Sequence, residues 1–340
     1  MSWLPERQQR SWLQQLCESI LKTGPVPEHI AIIMDGNRRF AVKKSIDRAE
    51  GHLQGFQKLA ETLDWCLRLG LREVTVYAFS IENFKRSKEE VECLMELAKQ
   101  KLARLLQEKE LIQKHEVCIR VLGKIELLSP ELQQMIADAV LFSKNNKRLA
   151  TLNVCFAYTA RDDISNAMKE LALGVKAGEI QESDITDSLL EKCLYSSHCR
   201  PVDLLIRTSG EVRLSDFQLW ESAYSCLAFV NVLWPEFSIW HLYAAILHYQ
   251  RNYAQIQIAR QNRDIERERL QRDSDYNCVL KEISHHNPDS ATVQESVQKY
   301  AADRASRIDA FLQRLYEKRG SLLEKLIPGS IQCPMISLLS

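Results

Sequence analysis

The chain has 340 residues, 45% of them hydrophobic and 26% charged, which at roughly 150 residues per domain allows about two domains and at least one large buried core. Lysine plus arginine and aspartate plus glutamate stand at 45 each, so no net field attracts a polyanion and a nucleic-acid partner loses its simplest support. No run approaches the roughly 18 consecutive apolar residues of a membrane span: Phe237 to Leu247 is broken by His241, and the stretch around Leu338 is short and proline-flanked.

Residues 1–24 read as an amphipathic helical segment, with Trp3, Leu4, Trp12, Leu13, Leu16, Ile20 and Leu21 as its apolar set and Ser11 with Gln14 as a capping box. Such a helix suits a bilayer surface, or it packs on the body of the protein, since it has no lysine-rich face. From residue 25 to about 250, short β-branched runs alternate with longer segments of helical period, the pattern of a parallel sheet with crossover helices. The predicted strands are Ile30–Met34, Val74–Phe79, Val117–Leu122, Thr151–Ala157, Asp203–Arg207 and Ala228–Val232. Ser87 with Glu90, and Ser129 before Pro130, mark helix starts. Gly70, Gly123 and Gly178 mark stops. Leucines between Phe56 and Leu71, with Trp65 and Cys66, and the set from Leu94 to Leu106 belong to the core or to a greasy cleft.

After Trp240 the texture becomes glycine-poor and densely charged. Residues 251–340 read as a C-terminal helical hairpin and tail, broken at His285 to Ser290 around Pro288, with Ile308, Phe311, Leu312 and Leu315 on one helix face. That face needs the main domain or another copy of the chain to cover it. The ten cysteines follow nothing like a cleavable signal peptide and read as reduced cytosolic thiols. Among them Cys193, His198 and Cys199 form the best metal-like group, but without zinc spacing or a second paired half.

In open parallel sheets ligands bind beyond the carboxyl ends of the strands. Three such ends are polar here. The first run ends in Met34-Asp35-Gly36-Asn37-Arg38-Arg39, a carboxylate before a glycine turn that opens a helix, suited to a magnesium-bound phosphate group. The second ends in Ser80-Ile81-Glu82-Asn83-Phe84-Lys85-Arg86 and the fifth in Arg207-Thr208-Ser209-Gly210-Glu211-Val212-Arg213-Leu214-Ser215, where Ser215 and Gln218 have helix-cap spacing. Taken singly, each is also explained as a turn with solvated charges. Together they suit two phosphorylated substrates meeting at one divalent ion. Neither the P-loop motif nor the Gly-x-Gly-x-x-Gly fingerprint occurs. A haloacid-dehalogenase-like site wants a second aspartate where Asn37 stands.

These three blocks resemble the ordered motifs of cis-prenyltransferases, the undecaprenyl diphosphate synthase-like family; the wording of Tyr77–Ser80 and Asn153–Tyr158 is similar to its animal members. The resemblance covers roughly residues 25 to 240. It implies a single six-stranded, mostly parallel α/β sheet with surrounding helices and a catalytic subunit. The implied reaction is repeated condensation of isopentenyl diphosphate with farnesyl diphosphate into long-chain dehydrodolichyl diphosphate for dolichol synthesis and protein glycosylation. By the same resemblance, Asp35 handles Mg2+. Gly36, Asn37, Arg38, Arg39, Arg48 and His52 hold the allylic diphosphate, and Ser80, Asn83 and Arg86 orient the reactants. Arg207, Arg213 and Ser215 hold isopentenyl diphosphate, and Trp65 and Leu105 wall a tunnel for the growing chain.

Two departures matter. Bacterial members carry a glutamate where Cys226 stands, which leaves the metal shell poorer. Their C-terminal arginine-x-glycine element is absent from Ile336–Ser340, which points to a Nogo-B receptor-like partner subunit that supplies it. The family expectation is thus peripheral membrane association on the cytosolic face of the endoplasmic reticulum, with a higher oligomer through the hairpin as a further expectation. The competing reading is a non-catalytic scaffold subunit of the same complex; retention of Asp35 with Arg38, Arg39, Arg207 and Arg213 argues against it.

Overall fold

The structure, a computed structural model, describes residues 11–114, 116–144, 146, 150–283 and 290–327. In chain order the elements are α1 (Trp12–Leu21), β1 (His29–Ile33), α2 (Asn37–Lys44), α3 (Arg48–Leu69), β2 (Glu73–Ser80), α4 (Lys88–Gln107) and α5 (Lys109–Lys114). There follow β3 (Val117–Leu122), α6 (Pro130–Ser143), β4 (Ala150–Tyr158), α7 (Ala160–Lys176), α8 (Asp187–Cys193), β5 (Leu204–Arg207), β6 (Cys226–Phe229), α9 (Ile239–Ile283) and α10 (Ser290–Lys325).

The strands form one six-stranded sheet in the order β3-β4-β2-β1-β5-β6, parallel throughout. Every residue of β1 is buried, because helices cover both faces; this is why the strand reads as an unbroken apolar run. On one face Ile30, Ile32, Val74, Val76 and Ile206 join α3 and the first half of α9 in the largest core. On the other, Ala31, Ile33 and Leu205 pack with Tyr158, Phe217 and Val202. From β1 the chain leaves toward β2, and from β5 toward β6 on the opposite side. Their carboxyl ends therefore flank the point where ligands bind in such sheets.

Several expectations shift. The last strand lies at Cys226–Phe229, not 228–232, because its ladder with β5 ends at the Arg207–Phe229 pair. The next carbonyls, of Val230 and Val232, accept instead from the N–H groups of Gly210 and Ser209. Ser215 caps no helix: Ser215, Asp216 and Gln218 take φ values of 50°, 60° and 42°, and the chain there runs through turns. The boundary at 250/251 falls inside α9, whose first half is core, with Leu242, Ile246 and Tyr249 buried under the sheet.

α10 returns along the main domain, where Phe311, Leu312 and Leu315 pack on Leu171, Leu189 and Cys193 of α7 and α8. α1 is capped as read, with Ser11 Oγ accepting from Gln14 N at 3.2 Å. Its inner face docks on α9, where Tyr243 Oη donates to Glu18 at 3.1 Å, while Trp12, Leu16 and Ile20 stay exposed. Trp3, Leu4, residues 285–289 of the break read at His285 to Ser290, and the tail with Leu338 and Ile336–Ser340 lie outside the described residues, while Ser290 opens α10. No helix among the described residues is long and apolar enough to cross a membrane.

Candidate active site

α2 leaves β1 through Gly36, which stands at its N-cap with φ 111° and gives no side-chain cap. A Cβ there would lie 3.0 Å from the Leu233 backbone, so only glycine fits this turn. The first N–H groups of α2 consequently have no intrahelical acceptor. They open on a cavity of about 1160 Å³ lined by the ends of β1, β2 and β5.

Two cationic groups flank its mouth. In the first, Arg38, Arg48 and Arg86 converge on Glu90, at 3.8, 3.6 and 2.8 Å. The Glu90 side chain is 7% exposed, whereas those of Arg38 and Arg48 are mostly open to solvent. His52 lies beside them with Nε2 buried and unpartnered. Burial first, then the Arg86 and Arg38 charges, hold its pKa below the usual imidazole value against the pull of Glu90. Asn37 Nδ2 donates to Met34 O at 3.3 Å, and its Oδ1 is a buried acceptor with no donor.

The second group centres on Asp35. Arg207 Nη2 donates to Asp35 Oδ2 at 2.8 Å, and Arg207 Nη1 donates to Ser215 Oγ at 2.6 Å and to the carbonyl of Arg213. Arg39 donates to Ser209 Oγ at 2.6 Å and stands 3.4 Å from Glu211, which also pairs with Arg213. Thr208 Oγ1 donates to Asp35 O at 2.7 Å and accepts from Asp35 N at 3.1 Å, clamping the strand end. Burial works to raise the Asp35 carboxyl, but the Arg207 hydrogen bond and charge, with Ser209 and Arg39, outweigh it and hold it below the usual value. Asp35 is therefore an ionised carboxylate at the mouth.

Between the groups sits the 3-10 turn Ile81–Lys85. Ser80 Oγ accepts from Glu82 N at 3.1 Å and Asn83 Oδ1 accepts from Ser80 N at 3.0 Å, which fixes both side chains at the cavity wall and leaves the Asn83 amide hydrogens to a ligand. Behind the mouth the cavity is apolar, walled by Leu59, Leu97, Leu105, Val121, Ile136 and Val154. The charged end suits phosphate and the deep end hydrocarbon.

The structure thus gathers Asp35, Gly36, Asn37, Arg38, Arg39, Arg48, His52, Ser80, Asn83, Arg86, Arg207, Arg213 and Ser215 around one cavity. Arg39, read with the first group, sits in the second. Leu105 lines the cavity. Trp65 does not: it is core, 6.4 Å from the Phe237 ring, because its helix face turns toward α9. Cys226 pairs in register with Leu204, three steps along the sheet from Arg207, or about 10 Å at strand spacing. Within this chain the residue at 226 is therefore too far away to complete a shell at Asp35. Among the described residues no three His, Cys, Asp or Glu side chains are placed to hold a metal; Cys193 is core, and the His198 ring lies tilted against that of Tyr316, 4.5 Å between centroids. Sequence reasoning missed Glu90, Thr208, Ser209 and Glu211 as site residues, as well as Arg161, which lines the cavity and donates to Asp216 at 2.8 Å.

Residues 33–257 match the family model described as putative undecaprenyl diphosphate synthase. The chain is 53% identical over 330 residues to the human dehydrodolichyl diphosphate synthase complex subunit DHDDS, covering 96% of this chain and 98% of that protein. The corresponding complex subunit of Schizosaccharomyces pombe is 41% identical over 239 residues, 70% of this chain and 90% of its own. Among solved structures, lavandulyl diphosphate synthase from Lavandula x intermedia in complex with dimethylallyl diphosphate superposes with a TM-score of 0.63 at 32% identity, covering 66% of this chain and 95% of that one.

Proposed function

The chain belongs to the undecaprenyl diphosphate synthase family of prenyltransferases, and from that premise we propose that it is the catalytic subunit of a cis-prenyltransferase. It condenses isopentenyl diphosphate repeatedly with farnesyl diphosphate and its elongated products to give dehydrodolichyl diphosphate. The observation that carries this reading is the Asp35–Arg207 contact at the mouth of a greasy cavity, with arginines on both sides. A scaffold subunit has no use for an ionised carboxylate ringed by guanidinium groups.

In each cycle C4 of isopentenyl diphosphate bonds to C1 of the allylic substrate, whose C–O bond breaks and whose diphosphate departs with the electron pair. A proton then leaves C2 of the isopentenyl unit and the new double bond forms. Arg38, Arg48 and Arg86, with the free N–H groups of α2, grip the allylic diphosphate. Arg207, Arg213 and Ser215 grip that of isopentenyl diphosphate, and Ser80 and Asn83 keep the reacting carbons in reach. The apolar wall takes the growing chain, each unit stabilised by burial at roughly 25 cal/mol per Å².

Magnesium fits this donor set. One ionised carboxylate together with substrate phosphate oxygens is the kind of oxygen shell Mg2+ accepts, in place of an all-protein cage. Bound by Asp35, it would neutralise charge on the departing diphosphate. The exposed Trp12, Leu16 and Ile20 of α1 support peripheral contact with a bilayer surface, and the membrane we propose is that of the endoplasmic reticulum, on its cytosolic face. The subunit wording of the relatives' names supports work within a complex; the partner proposed for it is Nogo-B receptor-like.

The test is incorporation of labelled isopentenyl diphosphate by the purified chain with its partner. Incorporation that needs farnesyl diphosphate and Mg2+, and that falls at least about 100-fold in Asp35→Ala, is expected from loss of a charge-stabilising group. Undiminished incorporation by Asp35→Ala would remove the assigned role.

A further inference from the structure

The chain that carries Arg213 and Ser215 runs into a backbone conformation that L side chains oppose. Ser215 and Asp216 take φ 50° and 60° in succession, both left-handed and neither a glycine. Such a turn persists only where its surroundings over-determine it, and two sets of contacts do so here. From the sheet, Arg207 Nη1 donates to Ser215 Oγ at 2.6 Å and to the Arg213 carbonyl. From the start of α7, Ala160 N donates to the Asp216 carbonyl at 2.8 Å. Arg161 N donates to Asp216 Oδ1 at 3.1 Å and Arg161 Nε to Asp216 Oδ2 at 2.8 Å, so both carboxylate oxygens are engaged.

Aromatic packing continues the hold one residue further on. Phe217 is fully buried, and its ring stacks on that of Tyr77 of β2 with 4.6 Å between centroids. The Tyr77 hydroxyl is shared between the carbonyls of Ser215 and Tyr158, at 3.3 and 3.2 Å. The sign of the Asp216 charge separates this residue from its neighbours. Asp216 lines the same cavity as Arg207, Arg213 and Ser215, and a carboxylate repels any anion bound beside it. Its charge is answered by the Arg161 guanidinium and by the N-terminal end of the α7 dipole. A carboxylate at an anion pocket with both oxygens turned to the protein serves the backbone, not the ligand.

We propose that Asp216 is a positioning residue for the isopentenyl diphosphate pocket: it fastens the Arg213–Phe217 turn to the start of α7, so that Ser215 Oγ meets Arg207 and Arg213 stands at the cavity mouth. The inference rests on the prenyl-transfer reading of that pocket and gives a role to a residue which that reading leaves without one. Two properties of aspartate are used at once. It tolerates the left-handed backbone better than most residues, and it reaches two donors on a neighbouring helix.

Three substitutions separate those properties, each read as steady-state incorporation of isopentenyl diphosphate by the chain with its partner, beside a urea midpoint. Asp216→Gly accepts the backbone without strain but has no anchor, Asp216→Ala has neither, and Asp216→Asn keeps one acceptor oxygen and the tolerance of positive φ. Glycine and alanine should both raise the KM for isopentenyl diphosphate at least about tenfold, the scale for losing hydrogen bonds that involve charged groups. In both, kcat and the KM for farnesyl diphosphate should stay within about twofold. Asparagine should recover to within about threefold of wild type. The urea midpoint should fall further in alanine than in glycine, so stability and KM part company. A glycine variant with the wild-type KM would show that residue 216 only accepts the turn, and would overturn the proposal. So would equal rises for both substrates, which mean collapse of the whole mouth. If neither glycine nor alanine folds, Tyr77→Phe decides: it keeps the ring stack, removes the hydroxyl from the Ser215 carbonyl and should raise the same KM about threefold, a level KM overturning the fastened turn. A wild-type complex that incorporates no isopentenyl unit would defeat the prenyl-transfer reading itself, a result distinct from active enzyme with unchanged KM.

Discussion

The carboxylate of Asp35 and the guanidinium of Arg207 meet at 2.8 Å although 172 residues of sequence separate them. Parallel pairing of β1 with β5 brings them together, since Ile33 lies in register with Arg207 and Asp35 follows two residues on. Arg207 is 3% exposed, so its planar fork is fixed by burial and can serve Asp35 with one nitrogen and Ser215 with the other. The sheet itself therefore builds this wall of the cavity mouth.

Replacing Arg207 tests that wall. Arg207→Ala should lower kcat/KM for isopentenyl diphosphate by about 100- to 1000-fold, the scale for one preorganised charge-stabilising donor. Arg207→Lys should recover only part, because an ammonium cannot bridge Asp35 and Ser215 as a fork does. Full recovery by lysine in steady-state kinetics would show that point charge alone suffices.

Much of this was legible in the chain. A parallel sheet covered on both faces writes its strands as unbroken apolar runs, as at Ile30–Ile33, so five strands fall within two residues of expectation. The sixth does not, because β6 ends where its backbone turns to bond Ser209 and Gly210, not where its valines end. The charged strand ends showed the polar side chains that line the cavity mouth for the same topological reason. Glu90 stayed hidden because the cap of α4 explains it locally: its N–H does bond Ser87 Oγ at 3.3 Å, and only the tertiary fold turns its carboxylate to three arginines.

Glu90→Gln should separate its two roles. The cap at Ser87 uses the backbone of residue 90 and is kept. Arg38, Arg48 and Arg86 lose their common counter-ion, spread apart, and should raise the KM for farnesyl diphosphate about tenfold, which corresponds to roughly 1.4 kcal/mol. The KM for isopentenyl diphosphate should change little. Equal effects on both substrates in initial-rate measurements would mean that Glu90 supports the whole mouth.

His52 gives a pH signature. Its folded pKa is depressed by burial and by the neighbouring arginines, while the unfolded imidazole titrates near 6.5. The unfolded chain therefore binds more protons below about pH 6.5, and this contribution to stability, present above that value, is lost as pH falls toward the folded pKa. Relative to His52→Gln, wild type should lose up to about 1.4 kcal/mol per pH unit on acidification from 6.5. Parallel urea midpoints for the two proteins at pH 5.5 and 7.5 would contradict a buried neutral imidazole.

Leu105 tests the deep end of the cavity. It is 2% exposed and, with Ile119, also lines a neighbouring apolar pocket of about 60 Å³ between α3, α4 and the sheet. The leucine side chain is thus a partition between the two spaces. Leu105→Ala should join them at a stability cost of about 2–5 kcal/mol, read as a lower urea midpoint, and should shift the extracted products toward longer chains because more apolar surface becomes available to each added isoprene unit. Leu105→Trp should act oppositely on length, filling the end of the cavity. Chromatography of the products decides the matter: lengths unchanged in both variants, with turnover retained, would place the growing chain along another wall.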